Sequence, residues 1–162
     1  MRAMILVAAM VAGCADDKTC TVSDLGDAVA TASLDGKDWQ ADQGTWSFAG
    51  SAIQASLESA VELNVTLRAT VSEEGDAVAE RIEAGDLPVT IDLSGADGHG
   101  GVMDLRNGID AYASNKPGGS GTMTIVSATD GGELHACFEF DAVNPSTGQV
   151  IELREGRVTI SQ

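Results

Sequence analysis

Basic side chains are scarce in this chain: nine Lys and Arg stand against 25 Asp and Glu, a formal net charge of −16 over 162 residues. Such a surface repels nucleic-acid phosphates and anionic lipid headgroups, and no cluster of Lys or Arg overrides that field, so nucleic-acid binding is excluded. Aromatic residues are fewer still; Trp39, Trp46, Phe48, Tyr112, Phe138 and Phe140 are the whole supply. A carbohydrate platform needs several rings on a wet face. Here Trp46 and Phe48, and likewise Phe138 and Phe140, sit two residues apart on one strand face, which assigns them to core packing. Histidine occurs twice, as His99 and His135, neither in a pattern that gives a Ser or Cys nucleophile its base. The longest apolar run, Met4 to Ala12, is far shorter than the roughly 20 residues that a membrane-crossing helix requires.

That run is nevertheless placed in a telling order. It follows Met1-Arg2-Ala3, with one positive charge, and precedes Gly13-Cys14, the layout of a short signal peptide. The tetrapeptide Val11-Ala12-Gly13-Cys14 resembles the lipobox of bacterial lipoproteins, in which small residues before the cysteine admit the lipoprotein signal peptidase. The resemblance covers residues 1 to 14. It implies that residues 1–13 are a cleaved signal peptide, that Cys14 carries the lipid, and that the membrane is held through acyl chains rather than through a protein segment. At about 0.8 kcal/mol per buried methylene one chain holds marginally and two or more hold firmly. Ala15 rather than Asp after the cysteine implies, by the same resemblance, sorting to the outer membrane of the bacterial envelope. With Cys14 committed to lipid, Cys20 and Cys137 remain as an even pair in an oxidising compartment, and a disulfide between them is expected.

The remaining chain has the length of one domain, able to bury roughly two-thirds of its extended surface in a single core. Residues 14–27 are polar without sustained period and read as a lipidated tether; residues 28–162 read as a single β domain. Val61, Leu63, Val65, Leu67 and Val71 alternate with Glu62, Asn64, Thr66 and Arg68, a half-buried strand. Val89, Ile91 and Leu93 alternate with Thr90, Asp92 and Ser94, and Leu134, Ala136, Phe138 and Phe140 with Glu133, His135, Cys137 and Glu139. Shorter strand segments are expected at 28–34, 37–41, 44–49, 51–57, 101–106, 109–113, 121–127 and 148–161. Turn chemistry separates them at Asp35-Gly36, Gly50-Ser51, Gly95 to Gly98, Asn107-Gly108, Lys116 to Gly119, Asp130-Gly131 and Asn144 to Ser146. Only 74–84 has a weak helical pattern. The pattern predicts an all-β fold of about 8 to 10 short strands, an antiparallel β-sandwich or a partly closed barrel.

The hairpin Ala32 to Ala41, with Asp35-Gly36-Lys37-Asp38-Trp39 at its turn, and the strand Ala136-Cys137-Phe138-Glu139-Phe140 look like parts of small all-β envelope lipoproteins of unknown function. Those begin with a Gly-Lys-x-Trp turn and end with a Gly-x-Phe-x-Phe strand, where this chain has Ala136 in place of the Gly. The resemblance implies a fold and no activity.

Four constellations could carry chemistry. Ser120 lies in Gly118-Gly119-Ser120-Gly121, which lacks nucleophile-elbow spacing and reads as a turn. His135, Cys137 and Glu139 share one strand face, yet ligands about 6 to 7 Å apart on a single strand are too far from one another for one ion, and a bridged Cys137 offers no thiolate. Asp97 to Gly101 and Glu73 to Asp76 hold carboxylates without EF-hand spacing. Paired acids for glycoside hydrolysis must face each other across a cleft, which no one-dimensional pattern identifies. The sequence thus points to a lipid-anchored envelope protein with a non-enzymatic binding or structural role, no cofactor and no metal, whose expected partners are the membrane and a further envelope protein. The alternative is a ligand-binding barrel or a hydrolase with an acidic cleft built from distant residues.

Overall fold

The computed structural model describes residues 20, 28–49, 52–59, 63–70, 81–82, 84–94, 100–105, 111–129 and 132–161. These carry eleven strands: β1 (Ala30–Leu34), β2 (Lys37–Ala41), β3 (Gln43–Ala49), β4 (Ala52–Glu58), β5 (Leu63–Thr70), β6 (Val89–Asp92), β7 (Gly100–Leu105), β8 (Ala111–Ala113), β9 (Ser120–Ala128), β10 (Glu133–Val143) and β11 (Val150–Ser161). The pairing is antiparallel in every ladder. Each strand falls on one of the strand segments expected from the sequence, which makes one strand more than the count of eight to ten; only Asp42 separates β2 from β3, and the two pair in different sheets. Of the weakly helical segment 74–84, Arg81 and Ile82 have helical backbone; all the rest except Ala84 lies outside the described residues. Asn107-Gly108, Gly50-Ser51 and Gly95 to His99 lie outside them as well, as do the facings of Phe48 and of the 63–70 side chains.

The strands form two sheets that are not closed into a barrel, which decides between the sandwich and barrel expectations. The first sheet runs β2-β1-β11-β10-β9-β6 and the second β8-β7-β5-β4-β3. They fork at β10. Its residues 134–141 pair with β9, whereas Val143, two residues further on, pairs with Ala113 of β8, so that β9 and β8 follow one another along a single edge. At the other side the chain itself crosses: Ala41 ends the pairing with β1, the Asp42 amide donates to the Glu58 carbonyl at 3.1 Å, and Gln43 opens the pairing with β4. Strands that switch sheets through such bends make the corners of sandwiches.

Alternation decides what lies between the sheets. In β10 the even residues Leu134, Ala136, Phe138, Phe140 and Ala142 are buried, and the odd residues 133 to 141 are exposed or half-buried. Val89, Ile91 and Leu93 are buried as their period requires, as are Trp39 and Ala41 of β2 and Val158 and Ile160 of β11. The second sheet contributes Trp46, Ala55 and Leu57. Each fully buried large aliphatic or aromatic side chain contributes about 1.5–3 kcal/mol of transfer free energy. Trp46 also meets the polar requirement of its ring, its indole N–H donating to the Gly132 carbonyl at 3.0 Å, which lays β3 across the start of β10. The Phe138 and Phe140 rings are tilted by 33° with centroids 6.4 Å apart, in the range of a favourable aromatic pair.

Two local devices shape the first sheet. Asp35 and Gly36 have φ of 48° and 76°, the two positive angles of a type I′ turn, and close the β1–β2 hairpin between Leu34 and Lys37. The Asp35 carboxylate then accepts from the Glu152 amide at 2.8 Å, tying the turn to β11. Further along β11 the pairing passes from Leu153↔Phe140 to Gly156↔Phe138, so Arg154 and Glu155 together oppose Glu139. This is a β-bulge, with Glu155 at φ 53°, and it turns the Arg154 side chain back toward Asp141.

Candidate functional site

The outer face of the first sheet gathers most of the residues that the sequence singled out. The odd positions of β10 place Glu133, His135, Cys137, Glu139 and Asp141 in a line along it. Register brings Arg157 of β11 opposite Cys137, Thr124 of β9 on its other side, and Thr90 of β6 beyond, where the two Thr hydroxyls meet at 3.0 Å. Cys137 is joined to Cys20 with Cα atoms 5.6 Å apart. The Cys20 sulfur lies 4.0 Å from the Thr124 carbonyl oxygen, so Cys20 sits over the β9–β10 pair, near the middle of the face.

Beside the disulfide, Thr90, Asp92, Ser94, Ser120, Thr122 and Glu139 line an open depression of about 540 Å³. Its walls are hydroxyls and two carboxylates. Ser120 opens β9 after a turn closed by the Gly119 amide donating to the Lys116 carbonyl at 2.8 Å; its hydroxyl donates to Asp141 Oδ2 at 3.0 Å. Asp141 also takes a guanidinium N–H of Arg154, which in turn reaches Glu152 at 3.4 Å. With Arg154 39 % and Asp141 27 % exposed, this small network is worth on the order of 1 kcal/mol or less and serves to order the side chains.

The metal constellation His135, Cys137 and Glu139 is not brought together: the cysteine is bridged, and among the described residues no group of three His, Cys, Asp or Glu could hold an ion. His135 instead lies between Thr159 Oγ1, 3.3 Å from Nδ1, and Glu133 Oε2, 3.3 Å from Nε2. Alternation alone set Glu133 and His135 on one strand face, but Thr159 becomes their neighbour only through the β10–β11 register. Hydroxyl, imidazole and carboxylate stand in the order of a hydrolytic triad, but on the face of a sheet. There the backbone N–H groups lie in the plane of the ladder and bond neighbouring strands, so none is aimed at an oxyanion above the face. Glu133 is 61 % exposed, so water screens it from the imidazole. The row is a surface hydrogen-bond chain.

His99, the Asp97 to Gly101 loop as far as residue 99, the Glu73 to Asp76 cluster and Cys14 lie outside the described residues. Among the described residues no helix is long and apolar enough to cross a membrane. At the free end of the second sheet stands β3, seven residues without a charged side chain, Gln43 to Ala49. No protein-family model, no curated protein and no solved structure matches the chain.

Proposed function

We propose that the chain is the precursor of a bacterial lipoprotein, cut before Cys14 and held by lipid on that residue at the envelope, in the outer membrane, where its sandwich serves a non-enzymatic binding or structural role. The observation that carries this reading is the Cys20–Cys137 bridge. Disulfides persist in oxidising compartments outside the cytosol, the destination that a leader ending at Gly13-Cys14 implies. The bridge also fixes the arm that follows the lipid site onto the domain. What supports a non-enzymatic role is that, among the described residues, the polar groups spread over an open sheet face, where a reacting carbonyl would find neither enclosure nor a backbone donor.

Cys14→Ser tests the anchor. Expressed in a diderm bacterium, the wild-type protein is expected in the detergent phase of a membrane extract, and the variant as a soluble or unprocessed species. A variant that is processed and partitions like wild type would rule the lipoprotein reading out. Gentle crosslinking of the lipidated protein in the envelope, followed by mass spectrometry, tests the binding role; recovery of no envelope partner counts against it.

A further inference from the structure

We infer that the outer face of the first sheet, around Cys137, is the membrane-proximal face of the domain, and that the second sheet is displayed away from the membrane. The inference rests on lipid at Cys14 and adds a direction to it. Five residues, hence six Cα–Cα steps, separate Cys14 from Cys20. Fully extended they reach at most about 21 Å, at roughly 3.3–3.6 Å per residue. Cys20 is stapled near the centre of the first sheet's outer face, over β9 and β10, with β6 two strands away on one side and β11, β1 and β2 on the other.

For the second sheet to rest on the bilayer, the arm would have to cross from β10 to the β6 edge and then run down the side of the sandwich. The first leg is about 10 Å at an interstrand spacing of roughly 4.8 Å. The second is about 20 Å: the roughly 10 Å between the sheets, plus one layer of outward side chains on each side at about half that depth. The sum, about 30 Å, exceeds the roughly 21 Å that the six steps span, so that orientation is closed to the molecule.

Charge does not oppose the allowed one. The membrane-proximal face carries Glu133, Glu139, Asp141 and Glu152 with Arg154 and Arg157, and an anionic leaflet repels its excess of carboxylates. An arm that allows up to about 21 Å of separation lets the face stand off by more than two Debye lengths of about 8 Å at physiological salt. The face left for partners then includes Thr45, Ser47, Gln54 and Ser56, half-buried or exposed and uncharged, in a chain whose net charge is −16. Among the described side chains of that face, a partner meets these hydroxyl and amide groups and, at the end of β4, the exposed carboxylate of Glu58.

The test uses the lipidated, disulfide-bonded protein in vesicles that carry a headgroup-linked energy acceptor. A clickable unnatural residue at Thr122, exposed on the first sheet, or at Ser47, exposed on the second, receives the donor dye and leaves the cysteines untouched. The Thr122 donor is expected to lie closer to the acceptor plane, by up to the sandwich thickness of roughly 20 Å, and to be quenched more. Equal quenching, or stronger quenching at Ser47, would overturn the inference. The Cys20→Ser/Cys137→Ser protein lengthens the free arm to reach β1 at Ala30, and the difference between sites is expected to shrink; an undiminished difference would show that the bridge does not set the orientation. Failure of the anchor itself has another signature, no transfer at either site for wild type and for Cys14→Ser alike, and it overturns both readings together.

Discussion

Breaking the Cys20–Cys137 bridge should destabilise the domain by about 2 to 5 kcal/mol, and the two ends of that window have different structural origins. The bridge spans a sequence separation of 117 residues. In the chain-entropy relation, closing a loop of that length removes about 16 cal/mol/K from the unfolded ensemble, or about 4.9 kcal/mol at room temperature. That full value applies if the arm preceding β1 keeps its place when the bridge is cut. If the bridge alone holds the arm, cutting it also frees the folded state, in which a segment of about nine residues from Cys20 to the first hydrogen bond at Val29 is released. Only the difference between the two loop closures then counts, about 1.5RT ln(117/9), or about 2.3 kcal/mol. A domain of this size loses about 3.5 °C of Tm per kcal/mol, at roughly 2.1 cal/mol/K of unfolding entropy per residue. The expected fall is therefore about 8 to 17 °C. The measurement is thermal denaturation followed by circular dichroism on the chain from Ala15 onward, comparing oxidised protein, reduced protein and Cys20→Ser/Cys137→Ser. The reduced and double-variant proteins should agree with one another. A Tm within 2 °C of the oxidised protein in both would refute the reasoning, since even the smaller closure term would then be missing.

Two glycine substitutions separate steric from conformational cost. A Cβ at Gly156 would meet Phe138 Cε2 and the Phe138 carbonyl oxygen at 2.5 Å each, so Gly156→Ala forces ring and ladder apart and should cost about 1–3 kcal/mol, read as a lower urea midpoint; an unchanged midpoint would contradict the packing of Phe138 over Gly156. At Gly36 a Cβ meets nothing within 4 Å, yet φ is 76°, so Gly36→Ala should cost about 1–2 kcal/mol through backbone strain alone. Gly36→Asn should recover most of that loss, because Asn tolerates the left-handed region; equal loss for Ala and Asn would point to a different turn.

Strand positions were legible in the sequence because the period-two signal is local. Leu134 to Phe140 bury alternate residues as written, Asp35-Gly36 makes the two-residue turn that its chemistry asks for, and Trp39, which composition alone left unassigned, is buried beside Ala41. The outer face was half legible. Alternation placed His135, Cys137 and Glu139 on one side of β10, but which strands flank them depends on register between segments far apart in the chain. Hence Thr159 beside His135, Arg154 on Asp141, and the depression between β6, β9 and β10 could not be seen in one dimension.

By itself the sequence determined the all-β class, the two-residue turn at Asp35-Gly36, the acidic balance of charge and the pattern around Cys14, since each follows from residue type at short spacing. Tertiary structure alone decided that the strands make two open sheets rather than a barrel, because closure depends on where β10 changes partners and on the crossing at Asp42. It also decided on which face of which sheet the arm is stapled. Local pattern fixes which residues lie inside; only the pairing of distant strands fixes what stands beside them outside.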